Sequence, residues 1–289
     1  METIQNGAFE LCSAIEEIDL PDTLTTVERN AFFVCSSLKS ISFPEGITEI
    51  NDNTLAFCAS LTELRLGDKV DIIGYNAFEA CSSLETVELP DSLTTLKSYT
   101  FRNCSSLKSI VIPGKVRAIY TQTFENCSSL GEIDLGSVQR IGSSAFKGCT
   151  SLKSVVLPDS MTMIDKRVFE DCTELKRVTV PKNTKTIDKD AFVGCGELTL
   201  YGYVDTEAQS FADQDENVSF VPLNAKGEPV ALYDVNADGS VDITDATELQ
   251  KHIAEITSVN PAILNRAVKD FSGTASISDV TEIQRKLAE

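Results

Sequence analysis

The chain has 289 residues, with 44 acidic and 25 basic side chains, nine cysteines, one histidine and no tryptophan, for a formal charge of −19. A surface this acidic repels nucleic acid phosphates and anionic lipid headgroups, which excludes both as partners. No run approaches the roughly twenty apolar residues of a membrane span, and no stretch reads as a signal peptide, so the signal of a secreted parent is expected to have been removed.

Cysteine punctuates the first two thirds of the chain. Cys12, Cys35, Cys58, Cys81, Cys104, Cys127, Cys149, Cys172 and Cys195 follow one another at intervals of 23 residues, with a single interval of 22. Phe precedes Cys by three residues in eight of the nine units, and Leu55 takes its place in the third. Each unit reads as a short helical turn (AFxxC), a corner (SS), a strand (LxxIxL), a Pro or Gly turn and a second extended piece such as LTTL. No unit can bury its own Leu, Ile, Phe and Cys. Stacked units share one continuous core with contacts only between neighbours, which predicts a leucine-rich solenoid. In the short interval Gly136 and Ser137 do the work of three residues, so the irregularity belongs in a surface turn and not in the core.

The cysteines read as structural. Rungs about 5 Å apart allow a disulfide on distance alone. An odd number of side chains, one per rung and all pointing the same way, fits buried thiols better. Zinc is disfavoured, because C-x-x-C pairs are missing and the one histidine, His252, lies far along the chain.

Between the core positions the strand sheet exposes Glu16, Glu17 and Asp19, then Lys39, Ser40 and Ser42, then Thr62, Glu63 and Arg65, and so on through Lys176 and Arg177. Charges of both signs alternate with Ser and Thr, and no aromatic row offers a platform for sugars. A protein ligand suits this ridged polar face better; a solvated face without a ligand is the plain alternative. Tyr75, Tyr99 and Tyr120 lie on consecutive rungs, as an interface cluster or as half-buried packing at a turn.

After the connector NAKGEPVA, from Asn224 to Ala231, the segment DGSVDITDATELQKHIAE from Asp238 is repeated 34 residues later as SGTASISDVTEIQRKLAE, with eight of eighteen positions identical. This is a duplicated loop and helix. The first loop, D-V-N-A-D-G-S-V-D-I-T-D from Asp234 to Asp245, carries oxygen side chains in the spacing that suits Ca²⁺, a hard cation taking six to eight oxygens. Asp234, Asn236 and Asp238 are expected to ligate by side chain, Ser240 by its carbonyl, Asp242 directly or through water, and Asp245 bidentately. Gly239 supplies the sharp turn. Four carboxylates this close repel one another, which couples Ca²⁺ binding to folding. The second loop keeps only Asp270 and Asp279 as carboxylates, so one firm calcium site and one weak or empty site are expected.

The repeated phrase AFxxCxSLxxIxLPxxxxxI resembles the BspA-like leucine-rich repeat of bacterial surface and secreted proteins, roughly from Thr3 to Leu223. The end piece LTLYGYVDTEAQSFADQDENVSFVPL is similar to that family's closing cap of strand, short helix and strand. The chain opens within a repeat, at TIQNGAFELC, as a piece cut from something longer would. Two loops each followed by one helix resemble the type I dockerin, which docks proteins onto cohesin modules of a cellulosome scaffold. That resemblance implies cohesin-facing residues Ile243, Thr244, Lys251 and His252 in the first copy and Ile277, Ser278, Arg285 and Lys286 in the second. It also implies an extracellular location and docking through either face.

The expected architecture is α+β: a solenoid of about nine 23-residue units with its cap over 1–223, a linker over 224–231, and a small all-α calcium-binding dockerin over 232–289. The expected function is non-catalytic, a cellulosome component that binds a cohesin in a calcium-dependent way and an unknown protein through the solenoid. The sole histidine on a dockerin helix leaves no Ser/His/Asp or Cys/His set. A carbohydrate-binding accessory protein is the alternative.

Overall fold

In the computed structural model the strands are very short, because each 23-residue unit makes four changes of direction. The structure describes residues 1–231, 233–254, 259–267 and 276–287; for 265, 277, 278, 286 and 287 only the backbone is described. By contacts the chain forms two compact units. One comprises Met1–Val178 with Asn183–Gly196, the other Thr179–Lys182 with Glu197–Glu289.

The first unit is a parallel β-solenoid. Three-residue strands such as Ser40–Ser42 and Glu63–Arg65 pair in parallel with Ser40 opposite Glu63 and Ile41 opposite Leu64, a register equal to the repeat. Each points only its central residue inward, which is why an L-x-x-I-x-L pattern gives a strand with two exposed flanks. On the far side, Glu49–Ile50, Ile72–Ile73, Thr95–Leu96, Ala118–Ile119 and Arg140–Ile141 form a five-stranded ladder.

The AFxxC segment was expected to be a helical turn; it folds instead as successive tight turns. The Cys35 N–H reaches only the Phe32 carbonyl, three residues back, while the Phe32 N–H donates to Thr54 in the next unit. The backbone polar groups are thus satisfied from rung to rung, as buried groups require. A left-handed residue just before cysteine makes this possible. It is Asn103, Asn126, Asp171, Gly148 or Gly194 in five rungs, types that tolerate this region well, and Leu11, Val34, Phe57 or Ala80 in the first four, where the stack imposes the conformation on side chains that rarely adopt it.

Inside, the rings of Phe78, Phe101, Phe124, Phe146, Phe169 and Phe192 stack in sequence at 5.4–5.6 Å. The cysteines run beside them as free thiols. From Cys35 onward each thiol donates to the carbonyl of the residue 26 or 25 positions earlier, as in Cys127 Sγ to Phe101 O at 3.1 Å and Cys149 Sγ to Phe124 O at 3.2 Å. The thiols therefore pack as small hydrophobes and also serve as weak donors across rungs. Burial raises the pKa of the thiols from Cys35 to Cys195, to about 11 in Cys35 and about 12 in Cys58. The thiolate is the reactive form, so a thiol reagent at neutral pH is expected to modify the partly exposed Cys12 in the native protein and the buried thiols only on unfolding. Mass spectrometry of protein labelled with and without denaturant reads this, and rapid native labelling of Cys104 or Cys127 would show an open core.

The short interval behaves as its sequence implies. Glu132 pairs with Ser109 at an offset of 23, whereas Arg140 pairs with Ala118 at 22, so the missing residue is absorbed between Asp134 and Arg140. Gly136 sits there at φ +52°, where an added Cβ would lie 2.5 Å from the Ile112 carbonyl oxygen. The core does not register the loss: Phe124 and Phe146 stack at 5.4 Å across it.

In the second unit, strand Leu198–Gly202 pairs in parallel with Val218–Pro222, joined by helix α1, Glu207–Ala212. Gly202 permits close approach, since a Cβ there would meet Ala208 Cβ at 3.0 Å. Three further helices follow: α2, Ile243–Ile253; α3, Pro261–Ala267; and α4, Ile277–Leu287. They surround a small core that includes Tyr233, Val235, Ala246, Leu249, Leu264, Val280 and Ile283. Ala246 and Leu249 of α2 correspond to Val280 and Ile283 of α4 at the 34-residue offset, so both copies bury the same helical positions.

Candidate calcium loop and docking helices

Asp234 and Asp245 close the two ends of the first loop, and both are fully buried. Asp245 Oδ1 accepts the N–H groups of Val235 at 2.7 Å and Asn236 at 3.1 Å, and its Oδ2 accepts that of Asp242 at 2.8 Å. Asp234 accepts from Asp238 and Gly239, each at 3.1 Å. Burial, then the charges of Asp245 and Asp238, hold the Asp234 carboxyl above its ordinary pKa, against the pull of those two N–H groups. Asp242 caps α2 and accepts from the Thr244 N–H and hydroxyl, which lower its pKa. With Asp245 answering the Asp242 N–H, the pair forms a capping box. The D-x-x-D spacing before an apolar-periodic helix is the sequence signal of this box.

The loop therefore collects carboxylate, amide and carbonyl oxygens around a left-handed Gly239 at φ +84°, a donor set that suits a hard divalent cation. Its acidic side chains are held by the loop's own backbone rather than drawn to one point. Among the described residues no three His, Cys, Asp or Glu side chains form a ready metal cage. Asn236 is exposed and donates to Asp238 Oδ2 and Thr244 Oγ1. Ser240 is also exposed, and its N–H donates to Asp238 Oδ1.

A contact absent from the sequence reading comes from the connector. Lys226 Nζ donates to the Gly239 carbonyl at 2.6 Å, and the Ala225 N–H to the Ala237 carbonyl at 3.0 Å. Asn224 folds the connector by accepting from the N–H groups of Lys226 and Glu228. The segment is thus fastened to the loop, a tie that nothing in its composition announces.

In the second copy Asp279 Oδ2 accepts from the Ser276 N–H and hydroxyl at 2.9 and 2.6 Å, the counterpart of the first capping box. Asp270 lies outside the described residues.

On the helices, Ile243 is 60% exposed, unusually high for its type. Lys251 pairs with Glu248 at 2.8 Å, and Arg285 with Glu282 at 2.7 Å, the same i,i+3 ion pair on α2 and α4. Thr244 is exposed but engaged with the loop. His252 is half-buried, and its Nδ1 accepts the Val259 N–H at 3.2 Å, so it shapes the turn after α2. The side chains of Ile277, Ser278 and Lys286 lie outside the described set.

Comparison with known families decides the first unit. A model described as BspA type leucine rich repeat region matches in six copies, over residues 2–131 and 71–199. The chain belongs to the BspA-type leucine-rich repeat family. A type I dockerin domain model matches residues 232–288, so this BspA-type chain ends in a type I dockerin. Dockerins of this type are calcium-binding modules. Both kinds of module are non-catalytic.

Among solved structures, a leucine-rich repeat protein from Bacteroides ovatus is 28% identical with a TM-score of 0.57, over 70% of this chain and 58% of that one. The chain thus spans less than two thirds of that relative. The leucine-rich repeat protein of T. pallidum is 30% identical with a TM-score of 0.50, over 52% of this chain and 71% of its own. A leucine-rich repeat protein from Eubacterium ventriosum, 21% identical with a TM-score of 0.53 over 67% of this chain and 62% of its own, shares the fold. Comparison with curated proteins gives no match. Among the described residues of this BspA-type chain, no helix is long and apolar enough to cross a membrane.

On the BspA-type solenoid, Tyr75 and Tyr120 are each 47% exposed and Tyr99 is half-buried. Lys97 lies over the Tyr75 ring at 5.2 Å and Arg102 over Tyr99 at 5.0 Å. These cations occupy ring faces that a sugar would need. On the strand face Lys39 pairs with Glu16 and Lys108 with Glu85 between neighbouring rungs.

Proposed function

We propose that this chain is a secreted, extracellular, non-catalytic cellulosome component. Its dockerin binds a cohesin module of a scaffoldin in a calcium-dependent way, and its solenoid binds another protein. The observation that carries the reading is the duplication in α2 and α4, where one buried register and one ion pair recur at an offset of 34. Asp234, Asn236, Asp238, the Ser240 carbonyl, Asp242 and Asp245 hold one calcium ion firmly, and the second loop holds one weakly or not at all. The ion neutralises the loop's carboxylates and pins it. The solenoid forms a domain with its cap over 1–223, followed by the connector 224–231 and the dockerin 232–289. Attachment to a scaffold gives the solenoid a high local concentration beside neighbouring modules.

Calorimetric titration with a panel of cohesins, with calcium and then with chelator, tests the reading. Tight one-to-one binding that disappears on chelation is expected, and no binding to any cohesin by the calcium-loaded protein would overturn it. Because the two faces are chemically alike, either docks. Ile243→Ala with Lys251→Ala is expected to weaken cohesin binding by less than about tenfold, and adding Ile277→Ala and Arg285→Ala by more than about a hundredfold. Complete loss from the first pair alone would rule out dual docking.

A further inference from the structure

The rung shortened by one residue differs from its neighbours on the strand face. Its central strand residue, Ile133, is half-exposed, whereas Ile41, Leu64, Val87, Ile110, Val155 and Val178 in the same register are buried; only Ile18, on the terminal rung, is comparably open. Gly131 precedes the strand where Lys108 and Lys153 precede the adjacent ones, so the rung has no long side chain to lay across itself. The flanking Val111 and Val156 are 64% and 68% exposed, high values for valine. Together these features leave an open groove of about 500 Å³ lined by Gly131, Glu132, Ile133, Asp134, Ser154 and Val156, among others.

The lining of this groove carries only acidic charge, with Lys153 on the adjoining groove that Glu132 also borders. Glu132 and Asp134 are exposed, and neither has a basic partner within ion-pair distance among the described residues. Asp134 Oδ1 accepts the Gly136 N–H at 2.9 Å and keeps its other oxygen free of that bond. Lys108, on the preceding rung, is taken by Glu85. The larger groove at Thr62–Leu66 contains Arg65 between Glu63 and Glu88 and no exposed apolar shoulder, so it has less to offer a cation.

We propose that the notch at the short rung is the solenoid's recognition site for a lysine or arginine side chain of a protein partner. The aliphatic stem lies over Val111, Ile133 and Val156, and the charged end meets Glu132 and Asp134. Long cationic side chains bury their stems on apolar surface while keeping the charge in water, and this notch supplies both halves. The missing residue then has a use: it removes core cover on one rung while leaving the stack intact. The proposal rests on the reading of the solenoid as a protein-binding surface.

The test is a chemical-shift titration of the ¹⁵N-labelled full chain with the peptide acetyl-Ser-Lys-Ser-amide and with its uncharged norleucine counterpart. Shifts from the lysine peptide are expected to concentrate on 131–136 and 154–156, with affinity at least about fivefold above the norleucine peptide. Glu132→Gln with Asp134→Asn is expected to remove that difference, and Glu63→Gln with Glu88→Gln, on the other groove of the same face, to leave it. Gly131→Lys closes the notch without strain, since a Cβ there meets nothing nearer than 3.7 Å, and it is expected to abolish the shifts. Binding that maps elsewhere on the strand face overturns the notch and leaves the protein-binding reading standing. Shifts confined to the dockerin, or none at all, count against both.

Discussion

Asp245→Ala is expected to lower cohesin affinity by at least about a hundredfold, whereas Asp279→Ala lowers it by less than about tenfold. The two aspartates hold equivalent places in the duplicated segment, so the contrast isolates what the first loop does. The buried Asp245 carboxylate accepts three backbone N–H groups at the mouth of the loop and is the proposed bidentate calcium ligand. Alanine strands those donors, at roughly 1–3 kcal/mol for each that stays buried, and removes half of a capping box worth roughly 1 kcal/mol. The loss of calcium adds to this, because a site that forms only on folding contributes its binding energy to the fold. Asp279, by contrast, accepts from the Ser276 N–H and hydroxyl, and its loop carries only one other carboxylate, Asp270. Calcium titration followed by cohesin calorimetry on both variants decides the matter. Equal losses would mean that the two loops share the metal load.

The solenoid was legible because its information is repeated. Nine cysteines at one interval set the register before any strand is assigned, and Ile41 opposite Leu64 follows from that interval alone. What could not be read was how the backbone satisfies itself. AFxxC looks helical in isolation, but left-handed residues before each cysteine send its N–H groups to the next rung, and only the stack supplies those acceptors. The thiol-to-carbonyl contacts, as from Cys127 to Phe101, were hidden for the same reason. In the calcium loop the donor spacing was plain, while the Lys226 contact to Gly239 joins residues 13 apart with no periodic relation. The exposure of Ile133 falls on the rung of the short interval, whose position the sequence gives and whose burial it does not.

Phe124→Ala is expected to destabilise the solenoid by about 3–5 kcal/mol, the range for emptying a fully buried aromatic site. Phe124 has no solvent exposure and stacks on Phe101 at 5.6 Å and on Phe146 at 5.4 Å. The same change at Phe9, which is only half-buried and has Phe32 as its one stacked neighbour, is expected to cost about 1–2 kcal/mol. In a quasi-one-dimensional array each rung is coupled to its neighbours only, so a central defect weakens two interfaces and a terminal defect one. Urea denaturation of both variants reads the difference as a shift in midpoint. A central loss large enough to uncouple the halves also broadens the transition and lowers its apparent m-value, because the array ceases to unfold as one unit. A cost below about 2 kcal/mol at Phe124 would mean that Phe101 and Phe146 close over the gap, and the ladder would then be a compliant stack and not a rigid one.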